Sequence, residues 1–322
     1  MCSLRSGILR RFSSQRCFHT TQVQRIDPKT VEEIKIPVPW GHIAGKWWGK
    51  KSIQPVLAVH GWQDNAGSWD PIAELMPDDY SLFAIDLPGN GRSSHLPPFQ
   101  NYYFNDAVAV LRRIKLHFNW DKVDLLGHSG GSATCFLYAA VFPEDVNSYF
   151  GIDYLVGSYG DEKKRAARIG KTIDKKIELA LREHSSSKRY TWEEAKNVWI
   201  KATKDSLDDK SAEILMQRGL DKLPDGKFIF SRDHRLKGAD INLLNEEQLY
   251  MLAGNASVHV RLVRGSKSEF FDSGIKYCPE ALNIVKKNAK SYNLYDLDGK
   301  HHLHMDIPEK IVPLLIEVLK AK

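Results

Sequence analysis

The sequence predicts an α/β fold: a mostly parallel sheet with helices on both faces, interrupted by a helical insert. Three observations lead there. Short runs that are apolar throughout and bounded by Gly or Pro recur along the chain, as strands covered on both faces require. Patterns of helical period lie between those runs, so strand and helix alternate. The alternation stops near Leu155 and resumes at Val258, and the stretch between is highly charged and helical in period.

In chain order, residues 33–48 alternate around Pro37, Pro39 and Gly41 and read as an antiparallel hairpin. The apolar run 56–59 ends in His60-Gly61, and 82–85 ends in Asp86-Leu87-Pro88-Gly89. The run 123–126 ends in Gly127-His128-Ser129, and 149–152 ends in Asp153. Helical patterns fill 69–76, 104–118 and 132–141, the second carrying Ala107, Val108, Leu111, Ile114, Leu116 and Phe118 mainly on one side. Beyond the interruption come a strand at 258–263, a helix at 279–289, a strand at 292–297 and a last helix at 309–319. The sheet domain is therefore expected over 30–155 and 251–322, with a helical cap over 156–250. Within the cap, Ile173, Ile177 and Leu181 form one stripe. Tyr190, Trp192, Trp199, Leu215 and Met216 are expected to form the cap's own core rather than line a pocket.

Composition narrows the function. The 322 residues include 46 Lys and Arg against 40 Asp and Glu, a net charge of +6, and 42% are hydrophobic, which suits a buried core. The four cysteines, Cys2, Cys17, Cys135 and Cys278, are scattered too widely for a disulfide scaffold or a four-cysteine zinc cluster. No apolar run reaches the roughly 18 residues of a spanning helix, so stable membrane insertion is not expected. Four arginines (Arg5, Arg10, Arg11, Arg16) fall before residue 19, and the first acid is Asp27. Arg-rich, Ser-rich and free of acids, residues 1–26 have the composition of a mitochondrial leader, with Arg16-Cys17-Phe18 resembling a matrix-protease site. The matrix is the expected destination; a plain disordered tail would leave the protein cytoplasmic. With the basic surplus in the leader, nucleic acid is not an expected partner.

Gly127-His128-Ser129-Gly130-Gly131 fits G-x-S-x-G, and its context is a strand before and a small-residue helix start after. That strand–turn–helix presents a serine alone above a sheet edge, as a nucleophile elbow does. A serine hydroxyl needs a base. The candidates stand after the last strand, in Gly299-Lys300-His301-His302-Leu303-His304. His301, seven residues before Pro308, is the first choice, with His304 and His302 as alternatives. The backbone N–H groups of Gly130 and of Trp62, in the loop after the first parallel strand, are the candidate oxyanion donors. His60 is expected to anchor that loop. No metal site is expected from the histidine tract, because three ligands this close in sequence rarely converge on one ion. The glycine-shaped loop 86–93 lacks the Lys-Ser/Thr of a phosphate cradle.

Taken together, these stretches resemble the α/β-hydrolases and, more narrowly, the serine hydrolase-like (kraken-type) family. The resemblance runs through residues 38–44, 60–66, 127–131, Gln217-Arg218-Gly219, Arg232-Asp233-His234-Arg235-Leu236, Phe271-Asp272-Ser273 and 301–305. It implies the hydrolase fold, a lid and a Ser-His-acid triad without cofactor. The acid departs from the usual pattern. Three residues after Gly265, where many such enzymes carry it, stands Ser268. Asp153 is the leading candidate, at the position some dehalogenases use; Asp272 and Glu269 are the alternatives. The expected activity is hydrolysis of a small-molecule carboxylic ester or thioester through an acyl-enzyme. A catalytically silent member binding a ligand or partner is the competing expectation. A serine nucleophile argues against dehalogenase and epoxide hydrolase chemistry, which use Asp at this point.

Overall fold

The computed structural model describes residues 31–155, 165–182, 188–238, 244–271 and 278–321. The basic leader and the candidate acid Asp272 lie outside the described residues. The expected hairpin is β1 (Glu32–Val38) and β2 (Gly41–Trp48), antiparallel from Glu32↔Trp47 to Val38↔Gly41. There follow β3 (Val56–Val59), α1 (Asp70–Ala73), β4 (Leu82–Ile85), α2 (Phe104–His117), β5 (Val123–His128), α3 (Gly130–Val141) and β6 (Val146–Ile152). The chain then runs through α4 (Arg165–Ala180), α5 (Trp192–Ala202), α6 (Asp209–Gly219), β7 (Leu220–Lys222), β8 (Phe228–Phe230) and α7 (Glu246–Asn255). It closes with β9 (His259–Gly265), α8 (Cys278–Asn288), β10 (Ser291–Leu297), α9 (Leu303–Asp306) and α10 (Pro308–Lys320).

Eight strands form one sheet in the order β1-β2-β4-β3-β5-β6-β9-β10. All neighbours from β4 onward are parallel, and β2 joins β4 antiparallel. This is the α/β-hydrolase fold. Strands β3, β4 and β5 are buried at every residue because both faces are covered. One face packs Leu57, Val59, Leu125 and Tyr149 against Val110, Phe136 and Val285 of α2, α3 and α8. The other packs Ala58, Ala84, Leu126 and Phe150 against Ile72 of α1 and Ile311, Leu315 and Val318 of α10. The chain lays down β3, crosses to β4 on one side, then to β5 on the other. The crevice at the carboxyl ends of β3 and β5 is therefore a topological switch point, where α/β sheets bind ligands.

Between β6 and β9 the chain leaves the sheet. Capping boxes start α5 (Thr191 with Glu194) and α7 (Asn245 with Gln248). Trp199, Leu207, Leu215 and Met216 pack together with Tyr190, Trp192 and Phe230, and Met305 from α9 completes this cluster. The predicted stripe Ile173, Ile177 and Leu181 is instead exposed. Helix α7 begins at Glu246, and its Leu249 and Ala253 pack into the core beside α8.

One buried ion pair fastens this segment to the sheet. Arg218 of α6 sends Nε to Asp86 Oδ2 and Nη1 to Glu33 Oε1, both at 2.6 Å. Asp86, fully buried after β4, also accepts Ala66 N–H at 2.7 Å and Arg92 N–H at 2.9 Å. Removing one partner of a buried pair strands the other charge. Arg218→Met is expected to destabilise the protein by about 3 kcal/mol, read as a lower urea midpoint in equilibrium unfolding.

Candidate active site

The segments that carry the candidate residues all leave the carboxyl ends of strands. Ser129 follows β5 with φ 51° and ψ −122°, a backbone few non-glycine residues adopt. Two glycines make room for it. A Cβ on Gly131 would lie 2.1 Å from Val59 O and 2.5 Å from His60 O, and one on Gly127 would lie 2.5 Å from Ser132 Cα. Ser129 N–H donates to Ile152 O at 2.9 Å, tying the elbow to β6.

His301, in the loop after β10, places Nε2 2.8 Å from Ser129 Oγ and Nδ1 2.7 Å from Asp153 Oδ2. Since a carboxylate only accepts, Nδ1 carries the proton and Nε2 faces the serine hydroxyl as an acceptor. Burial pushes the His301 imidazole down to about 4, against the opposing effect of its hydrogen bond to Asp153, so it stands neutral at physiological pH. Phe270 stacks on the ring with centroids 4.1 Å apart. Asp153 is fully buried with φ 53°, the left-handed conformation that Asp tolerates better than most. Its Oδ1 accepts the Gly265 N–H at 2.8 Å, and Oδ2 accepts the Ser268 hydroxyl as well as His301.

Of the alternatives, His302 turns away to Ser206 and Asp64, and His304 is buried against Trp69 and His128. Glu269 is exposed and paired with Lys204. His60 spans the loop after β3, donating from Nδ1 to Gly61 O at 2.7 Å and accepting Leu87 N–H at Nε2 at 3.0 Å. Trp62 and Gly130 both line a cavity of about 570 Å³ beside the elbow. Its walls are Trp40, Leu87, Leu96, Phe99, Tyr102, Val110 and Leu236, with Asp106 and Arg113 also contributing. A smaller cavity of about 200 Å³ is lined by His301, Ser206, Ser268, Phe270 and Glu269 and by three lysines, Lys204, Lys267 and Lys300.

Residues 54–167 match the family model of the alpha/beta hydrolase fold. A Drosophila melanogaster protein named "Probable serine hydrolase" is 36% identical over 92% of this chain and 90% of its own. A Danio rerio "Serine hydrolase-like protein" is 31% identical over 97% and 94%. The chain belongs to the serine hydrolase-like family of α/β-hydrolases. In fold it is also similar to a hypothetical protein of Pseudomonas aeruginosa PAO1, with a TM-score of 0.78 at 24% identity over 90% of this chain and all of the other.

Three features of this serine hydrolase-like site escape sequence reasoning. Ser268 stands where the acid is usually sought and donates to Asp153 instead. A serine there, combined with an Asp at the end of β6, is the signal that pairs them. Asp233 and Arg235 hold the loop that walls the large cavity. Arg235 binds Asp233 and the carbonyls of Leu96, Pro97 and Gln100, while Asp233 accepts the Tyr102 hydroxyl at 2.8 Å. Asp64, His128 and His302 gather beneath His301, although each comes from a different strand end. The elbow itself is the most stringent feature. Gly131→Ala is expected to cost roughly 2–3 kcal/mol, because backbone carbonyls rather than side chains occupy the Cβ position. Thermal unfolding of the purified variant reads that loss.

Proposed function

We propose that the protein is a carboxylesterase-like serine hydrolase that cleaves a carboxylic ester or thioester through an acyl-enzyme. The observation that carries this reading is the hydrogen-bonded series Ser129 Oγ, His301 and Asp153, with distances of 2.8 and 2.7 Å. His301 takes the serine proton as Oγ attacks the carbonyl carbon, then delivers it to the leaving alkoxide or thiolate. Asp153, satisfied by Gly265 and Ser268, fixes the tautomer and stabilises the imidazolium that forms. The N–H groups of Trp62 and Gly130 are assigned to the oxyanion of the tetrahedral intermediate. Water then enters against the acyl-enzyme with His301 as base.

The large cavity supports an apolar acyl or alcohol group, since its walls are mainly aromatic and aliphatic and its size falls in the range of small-molecule sites. The segment between β6 and β9 serves as a cap: Arg218 bonds Asp86, and Asn65 Nδ2 donates to Leu215 O at 2.9 Å, next to the oxyanion loop. For residues 1–26 we propose mitochondrial import, on composition.

Fluorophosphonate labelling tests the reading. Wild type is expected to label and Ser129→Ala not; absence of label on folded wild-type protein would favour a silent ligand-binding member. Asp153→Asn is expected to lower kcat on an acyl ester by roughly 10³–10⁴-fold, whereas Asp272→Asn stays within a few-fold. The reverse order would move the acid to Asp272. Fused ahead of a fluorescent protein, residues 1–26 are expected to direct it to mitochondria, and diffuse cytosolic fluorescence would withdraw that proposal.

A further inference from the structure

Beneath the catalytic series lies a second buried constellation that the proposed hydrolysis does not use. Asp64 comes from the loop after β3, His128 from the end of β5 and His302 from the loop after β10, and all three are buried. Asp64 Oδ2 lies 3.3 Å from His302 Nε2 and 3.7 Å from His128 Nδ1, and the three ligand atoms fall within 4.8 Å of one another.

The other nitrogen of each imidazole is already committed. His128 Nε2 donates to the His301 carbonyl at 2.9 Å, and His302 Nδ1 bonds Ser206 Oγ at 2.5 Å. The remaining nitrogens therefore turn inward to one carboxylate oxygen, His302 Nε2 within hydrogen-bond distance of it and His128 Nδ1 beyond. Metal-bound histidines are oriented in this way, by an oxygen on the far side of the ring.

A proton shared with Asp64 satisfies His302 but leaves His128 unserved. With its proton on Nε2, His128 holds a lone pair at Nδ1, which has no hydrogen-bond partner and is 3.7 Å from a carboxylate. A second proton would face Asp64 across 3.7 Å, longer than an ordinary hydrogen bond. Tetrahedral zinc, with bonds of about 2.0–2.2 Å, separates neighbouring ligand atoms by about 3.3–3.6 Å; Asp64 Oδ2 stands 3.3 Å from His302 Nε2 and 3.7 Å from His128 Nδ1, and with the three atoms spread over up to 4.8 Å a bound ion would draw the two rings together. Gly61 keeps that space clear, since a Cβ there would lie 2.8 Å from Asp64 Oδ2 and 2.9 Å from His128 Nδ1. The surrounding charge admits a cation. The buried carboxylates of Asp64 and Asp153 both face His302, and the Arg232 guanidinium also acts on Asp64.

We propose that Asp64 Oδ2, His128 Nδ1 and His302 Nε2 form a binding site for a divalent transition ion of the zinc class. Two imidazoles and one carboxylate favour such an ion over calcium or magnesium. The ion takes no part in the chemistry at Ser129. It pins the oxyanion loop, the elbow and the His301 loop to one another, and no single stretch of sequence contains its ligands. The short spacing within the histidine tract, which argued against a metal there, does not apply: the tract supplies one ligand, and the other two come from distant strand ends.

The test uses the untagged full chain, stripped with a chelator, reloaded with zinc chloride and desalted. Elemental analysis is expected to find one zinc equivalent per chain in wild type and in Ser129→Ala, and the thermal midpoint is expected to rise with added zinc. His128→Asn and His302→Gln, checked for folding by circular dichroism, are expected to lose that equivalent. Cobalt loading of wild type covers the case in which the variants do not fold: visible bands of a tetrahedral nitrogen–oxygen site without thiolate charge transfer are expected. No zinc retained by wild type, zinc retained by both folded variants, or a cobalt spectrum with octahedral or thiolate features would each overturn the proposal.

Discussion

The site depends first on a backbone conformation. Ser129 sits at φ 51° and ψ −122°, where an isolated residue would cost of order 1–3 kcal/mol. The fold holds it there because α3 is pressed onto β3 and β5. Gly131 abuts the carbonyls of Val59 and His60, Gly127 abuts the first turn of α3, and the Ser129 N–H is fixed to Ile152 O. One strand over, Asp153 repeats the device with φ 53° and its own N–H on Val263 O at 2.8 Å. Two adjacent strand ends in left-handed conformation turn Ser129 and Asp153 toward the same imidazole. The sheet's register thus sets the spacing that the hydrogen-bonded series requires.

Around that constraint three buried carboxylates are each satisfied by several donors. Asp153 accepts three hydrogen bonds, from Gly265, Ser268 and His301. Asp86 accepts from two backbone N–H groups and from Arg218, and so joins the insert to the loop that carries Asn90 and Arg92. Asp233, with Arg235 and Tyr102, fixes the wall of the large cavity in the same manner. In each case a carboxylate at the end of an element gathers donors from segments far apart in sequence. Desolvation makes an unpaired carboxylate so costly there that the loops have few other arrangements.

This explains what could be read in advance. The sheet, the elbow and the position of His301 were legible because each is a local pattern: an apolar run, a glycine spacing, a histidine set back from a helix-opening proline. The cap's own core was legible from helical period, since Trp199, Leu215 and Met216 recur on buried faces. The exposure of Ile173 and Ile177 was not, because periodicity gives a face but not what covers it. The cavity wall was equally hidden. Leu96, Phe99 and Tyr102 lie in an irregular segment that side-chain anchors position, with no period to betray it. The nest of Asp64, His128 and His302 depends on three strand ends converging, which only topology supplies.

The acid shows how a departure from a family pattern can be a substitution rather than a loss. The end of β9 lies beside the end of β6, and Ser268 beyond β9 meets the same carboxylate oxygen that His301 Nδ1 does. Were residue 268 acidic while Asp153 stayed in place, two carboxylates would stand within hydrogen-bond distance in a dry site, and one would take up a proton rather than orient the imidazole. A serine at 268 avoids that repulsion and donates to the carboxylate one strand over. The hydroxyl at the usual acid position and the carboxylate at Asp153 are thus two halves of one arrangement. The line from carboxylate to His301 to Ser129 therefore starts at the end of β6.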